Sequence, residues 1–99
     1  MIDLDQRYYK QAQGTLRFMI QAQLAYYKRD LAGALEFINE SLKLFETTEG
    51  YALKGSLQYL RGNRLGAQKS WEKATEFSPD FLIPDTDILD QIIKTELQN

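Results

Sequence analysis

The groups in this chain that could do chemistry are carboxylates, amines and hydroxyls, because it contains no histidine and no cysteine. The missing histidine removes the commonest general base and the commonest metal ligand together. The missing cysteine removes thiolate zinc sites, thiol nucleophiles and any disulfide framework, and is neutral about compartment. Carboxylate or lysine catalysis stays formally open, but the usual constellations cannot be built. No catalytic, cofactor-binding or metal-binding residue is expected. Twelve Lys and Arg against fourteen Asp and Glu leave a net charge of −2. That balance lacks the basic surplus of a protein that binds nucleic acid or an anionic membrane.

Ninety-nine residues suit one domain with a single modest core. Hydrophobic content of 43% and charged content of 26% are ordinary for a globular protein. The most apolar stretch, Phe18 to Tyr27, is interrupted by Gln21 and Gln23 and is too short to span a bilayer. The acidic opening Met1-Ile2-Asp3-Leu4-Asp5 lacks the apolar run of a signal peptide. A cytoplasmic location is the expectation if the chain is complete.

The elements that must position these side chains recur along the chain, at a period of about 33 residues. Sliding the chain along itself until Phe18 meets Tyr51 also aligns Ala22 with Gly55, Leu24 with Leu57 and Tyr26 with Tyr59. The same shift aligns Asp30 with Asn63, Gly33 with Gly66, Ala34 with Ala67, Ile38 with Trp71 and Ser41 with Ala74. Aromatic meets aromatic, small meets small, and capping residue meets capping residue. The chain is a tandem duplication.

Each copy reads as two helices joined by a tight turn. In the second copy, Tyr51, Leu53, Gly55, Leu57 and Leu60 predict a helix over about Glu49 to Arg61. Gly62 supplies a left-handed stop, and Asn63 caps a helix over about Arg64 to Phe77 that buries Ala67, Trp71 and Ala74. Ser78-Pro79-Asp80 ends it. In the first copy, Leu31, Leu35, Ile38, Leu42 and Phe45 form one apolar stripe behind Asp30, with Arg29 in the place of the stop glycine.

This pattern resembles the tetratricopeptide repeat, a helix pair of about 34 residues. The second copy matches the family's motif at Tyr51, Gly55, Gly62, Ala67, Trp71, Ala74 and Pro79. It departs at Lys54, where leucine is usual, and at Gln58, with Tyr59 one place late. The first copy keeps Phe18, Ala22, Ala34, Ile38 and Ser41, but has Ala25 for tyrosine and Glu46 for proline. The resemblance implies an all-α, right-handed superhelix of antiparallel helix pairs. Repeat one spans 15–47 and repeat two 48–81, within a single domain covering 1–99.

The flanks carry further helical signals. Asp3 to Gln13, with Ile2, Leu4, Tyr8 and Tyr9 as apolar members, reads as an N-terminal extension over 1–14. A last helix is expected over 85–98, opened by Pro84 and Asp85-Thr86-Asp87 and carrying Ile88, Leu89, Ile92, Ile93 and Leu97. It is similar to the capping helix of such arrays, and Ile88, Leu89 and Ile92 fall where a third repeat would begin. It is expected to dock near Trp71 and Phe77 with its polar side to water.

The resemblance also implies a function, because the first helix of each pair in that family lines a concave protein-binding groove. On this chain the groove would be lined by Leu16, Met19, Gln23, Tyr26 and Tyr27 from copy one, and by Ala52, Ser56, Tyr59 and Leu60 from copy two. Met19, Gln23 and Ser56 stand where some relatives carry a basic, asparagine-rich clamp for a terminal carboxylate, so that clamp is missing. The expected partner is a peptide or helix of another protein, for an adaptor or scaffold. The alternative is a structural subunit that assembles, as a homodimer or in a larger complex, through its terminal helices. Lys54, Arg61, Arg64, Lys69 and Lys73 crowd the second repeat, whereas Asp80, Asp85, Asp87, Asp90 and Glu96 crowd the tail. The plainer account of that contrast is that the last helix partly neutralises its neighbour.

Overall fold

A computed structural model describes residue 14 and residues 17–98, with side chains through residue 95. The expected N-terminal extension and the groove position Leu16 lie outside the described residues. Those described are all helical, without a strand: α1 over 17–27, α2 over Leu31–Leu44, α3 over Thr48–Leu60, α4 over Arg64–Phe77 and α5 over Thr86–Gln98.

The duplication is visible in the hydrogen bonds of the turns. Between α1 and α2, Asp30 N donates to Ala25 O at 2.9 Å and Arg29 N to Tyr26 O at 2.9 Å. Between α3 and α4, Asn63 N donates to Gln58 O at 2.8 Å and Gly62 N to Tyr59 O at 2.9 Å. These are the same pair of bonds, one repeat apart, closing each first helix with a left-handed residue. That residue is Arg29 at φ 64° in one turn and Gly62 at φ 89° in the other. The caps repeat as well: Gly33 N donates to Asp30 Oδ1 and Gly66 N to Asn63 Oδ1, both at 2.9 Å. Identical turns in one register make each copy a helical hairpin.

Small residues let the helices of each hairpin approach. Ala34 and Ala67 are fully buried, as are Ser41 and Ala74 further along the same helices. Between them on the same helices stand Ile38 and Trp71, the largest wholly buried side chains of their hairpins. Ala22, Ala25, Ala34, Ile38, Leu42 and Leu57 form one core, and Tyr59, Ala67 and Trp71 form a second. Leu57 and Tyr59 both belong to α3, so that helix faces both cores and joins the hairpins. The joint is pinned at Glu46. The Tyr51 hydroxyl donates to the Glu46 carboxylate, and burial together with that bond pushes the phenol up to about 12. Thr47 caps α3 from the same turn by accepting from Gly50 N at 2.9 Å.

The last helix docks on the second hairpin, as expected, through Leu89 and Ile93 with Phe81 beside them. Two details differ from expectation. Phe77 takes no part in that contact; its ring stacks on Tyr51 at 5.7 Å and stays 45% exposed. Nor is the outer side of α5 polar, because Ile88 and Ile92 are 55% and 52% exposed. Helical spacing spreads four aliphatics over more than one face, and the dock uses only one of them.

Two substitutions test this packing. Ala67→Leu forces a larger side chain between α3 and α4 and should destabilise by roughly 1–3 kcal/mol. An unchanged melting temperature would contradict the close approach. Arg29→Gly relieves a left-handed arginine and should raise stability by about 1 kcal/mol, read as a higher denaturation midpoint. A lower midpoint would mean that the arginine side chain contributes more than its backbone costs.

Candidate interaction surface

An open cleft of about 450 Å³ runs between α1 and α3 and is closed at one side by the segment that leads into α5. Met19 and Gln23 line it from α1, and Glu49, Ala52, Leu53 and Ser56 from α3. Trp71 of α4 reaches it from below, and Phe81, Leu82 and Pro84 form the remaining wall. The surface is mostly apolar, with Gln23, Glu49 and Ser56 as its polar groups. A groove of this character suits an apolar segment held by a few hydrogen bonds.

The floor is held from underneath. Trp71 is 1% exposed and its indole Nε1 donates to the Ala52 carbonyl oxygen at 3.3 Å. A Cβ on Gly55 would stand well inside van der Waals contact of the indole ring, so only glycine lets α3 lie this close to Trp71. Ser56 Oγ donates back to the same Ala52 carbonyl at 3.2 Å. Its hydrogen is thus committed inside α3, and the oxygen offers the cleft an acceptor.

Of the groove positions expected from the sequence, the fold brings four together here: Met19, Gln23, Ala52 and Ser56. Tyr26, Tyr27 and Leu60 are exposed but form no part of these walls. The two tyrosines lie edge to face with ring centres 6.2 Å apart. Tyr59 is placed differently from the expectation. It is 6% exposed beneath α5, with its ring 5.8 Å from that of Trp71. Glu49 lines the cleft from outside the expected set, although it is the repeat equivalent of Leu16. Phe81, Leu82 and Pro84 had no periodic signal to reveal them, since they belong to no helix.

What holds Tyr59 down is a polar cluster between α3, α4 and α5. Its hydroxyl donates to the Asp90 carboxylate, and the Thr86 carbonyl oxygen lies 3.2 Å from the same hydroxyl. Arg64 Nη2 reaches Asp90 Oδ1 at 2.8 Å while its guanidinium sits 4.9 Å from the centre of the Tyr59 ring. The hydrogen bond from Tyr59, reinforced by Arg64, holds the Asp90 carboxyl below its usual range. The same bond raises the Tyr59 phenol, and Asp90 raises the Arg64 guanidinium. Among the described residues, Arg64–Asp90 is the one ion pair joining the basic second repeat to the acidic tail.

That cluster should make the docking of α5 acid-sensitive. A carboxyl whose native pKa is depressed contributes stability above its unfolded value, near ~3.9 for aspartate, and loses it as pH falls through the native value. Hydrogen exchange should therefore show α5 amides losing protection below about pH 4, ahead of those in α2. Asp90→Asn should lower α5 protection at neutral pH and flatten that acid step. Equal protection in variant and parent would contradict the role given to Asp90.

Among the described residues, no helix is long and apolar enough to cross a membrane. No family model, curated protein or solved structure matches the chain.

Proposed function

We propose that this chain is a binding module built as a short, tetratricopeptide-like right-handed superhelix, and that it holds a segment of another protein in the cleft between α1 and α3. It acts as an adaptor or scaffold rather than an enzyme. The observation that carries the reading is the convergence of Met19, Gln23, Ala52 and Ser56, from two register-equivalent helices, on one apolar cleft. The matched turns and matched small residues of the two hairpins support the superhelical reading.

The chemistry of the walls describes the segment. Met19, Ala52, Leu53 and Leu82 favour an aliphatic or aromatic side chain, and a methionine adapts to several shapes. Glu49 on the rim favours an amide or basic residue next to it. Leu82 is 86% exposed, a large loss of apolar burial for an unoccupied wall and a ready contact for a ligand.

A peptide array tests this directly. Apolar peptides with a flanking basic residue should bind the parent chain. Leu82→Asp combined with Gln23→Ala, both at exposed positions, should weaken the same peptides at least about tenfold, in the range of a truncated hot spot. The single tryptophan, Trp71, gives an independent readout, because peptide entering the cleft should shift its emission. Peptides that bind both proteins equally would move the site off the cleft.

A further inference from the structure

The last helix is docked through one face and bare on another. Leu89 and Ile93 face the Tyr59–Ala67–Trp71 core, and Asp90 is tied to Arg64 and Tyr59. Ile88, Gln91, Ile92 and Thr95 are all exposed. Their spacing sets them on one side of the helix, since positions three, four and seven apart lie above one another.

The repeat register says how such a side is used elsewhere in the molecule. A shift by one repeat carries Gly55 onto Ile88, Gln58 onto Gln91 and Tyr59 onto Ile92. On α3 those positions all meet α4. Gly55 abuts Trp71, Gln58 Oε1 accepts from Ser70 Oγ, and the Tyr59 ring lies against Trp71. So α5 presents, in register, the side that α3 buries under the helix folded back on it.

We propose that this side packs on the same side of a second copy of the chain, with the two α5 helices antiparallel about a twofold axis. Charge selects both the occupant and the direction. Asp87 and Lys94 are exposed, two turns apart on one edge of the face, and neither makes an ion pair among the described residues. Asp90, the acid that Lys94 would meet one turn back, is already committed to Arg64 and Tyr59. With Ile88 of each copy opposite Ile92 of the other, Asp87 of each copy meets Lys94 of the other, twice about the axis. Parallel helices would instead put that edge of each copy against the opposite edge of the other, and the two pairs would not form. Gln91 falls beside the axis, where the two side-chain amides satisfy one another. The 13-residue helix gives a strip only about 20 Å long. The dimer is therefore concentration-dependent rather than obligate.

Sedimentation velocity over a concentration series reads this out. The parent chain should pass from monomer to dimer. Ile92→Glu should remain monomeric, with Ile88→Lys as a second route to the same result, and circular dichroism should show unchanged helix content in whichever is scored. Asp87→Lys should weaken the dimer by about tenfold or more, since like charges then face each other. Asp87→Lys together with Lys94→Asp should restore it, because antiparallel packing keeps the two pairs with their signs exchanged. A parent chain that stays monomeric at every concentration overturns the proposal. So does a dimer that survives Ile92→Glu, or a double charge exchange that fails to restore what the single exchange lost. Leu82→Asp in the cleft should leave the mass unchanged, which keeps failure here distinct from failure of the peptide site.

Discussion

The contact between Trp71 and Gly55 is the constraint on which the rest of the second hairpin depends. Three consequences meet at that one side chain. Removing a Cβ from α3 lets the indole lie flat between α3 and α4 and donate to the Ala52 carbonyl. The same ring then supports Tyr59 from one side and the cleft from the other. Tyr59, so supported, offers α5 both a flat surface and a hydroxyl for Asp90. A larger residue at Gly55 would displace the tryptophan, and with it both the floor of the cleft and the seat of the last helix.

A stack of helical hairpins buries its core between neighbours, so each end of the two hairpins among the described residues presents a face that needs cover. The carboxyl end is managed by α5, which covers Tyr59 and Trp71 with Leu89 and Ile93 and adds one charged tie. That solution moves the problem outward by one helix, since Ile88 and Ile92 then stand in water. In α1, Ile20 and Leu24 are 52% and 53% exposed. Their repeat equivalents are Leu53 and Leu57, both of which pack against the first core. Leu24 and Leu57 are thus the same residue type in the same register, one exposed and one buried.

Much of this architecture is legible in the amino-acid pattern, for a physical reason. Capping residues and left-handed stops act within a few residues, so Asp30, Asn63 and Gly62 announce the turns, and α4 runs over the residues its signals mark. The repeat register places Met19 with Ala52 and Gln23 with Ser56 because equivalent residues on equivalent helices point the same way. What periodicity does not carry is the identity of the neighbour. Tyr26 and Tyr59 are equivalent in register, yet one is 44% exposed and the other 6%, because only the second lies beneath α5. Likewise the cleft wall of Phe81, Leu82 and Pro84 depends on where a helix-free segment happens to be held. Nor does periodicity announce Glu46 as the partner of Tyr51, because that bond crosses the turn between two helices.

The most direct test is Gly55→Ala, because two effects of opposite sign meet there. Helix propensity alone favours alanine over glycine by about 1 kcal/mol in a helix interior. The contact with Trp71 opposes it, since the new methyl would overlap a buried ring and force it out of its seat. Hydrogen exchange on the variant should show lower stability, with protection lost together in α3, α4 and α5. A more stable protein, or one in which α5 keeps its full protection, would contradict the account that Trp71 seats the last helix.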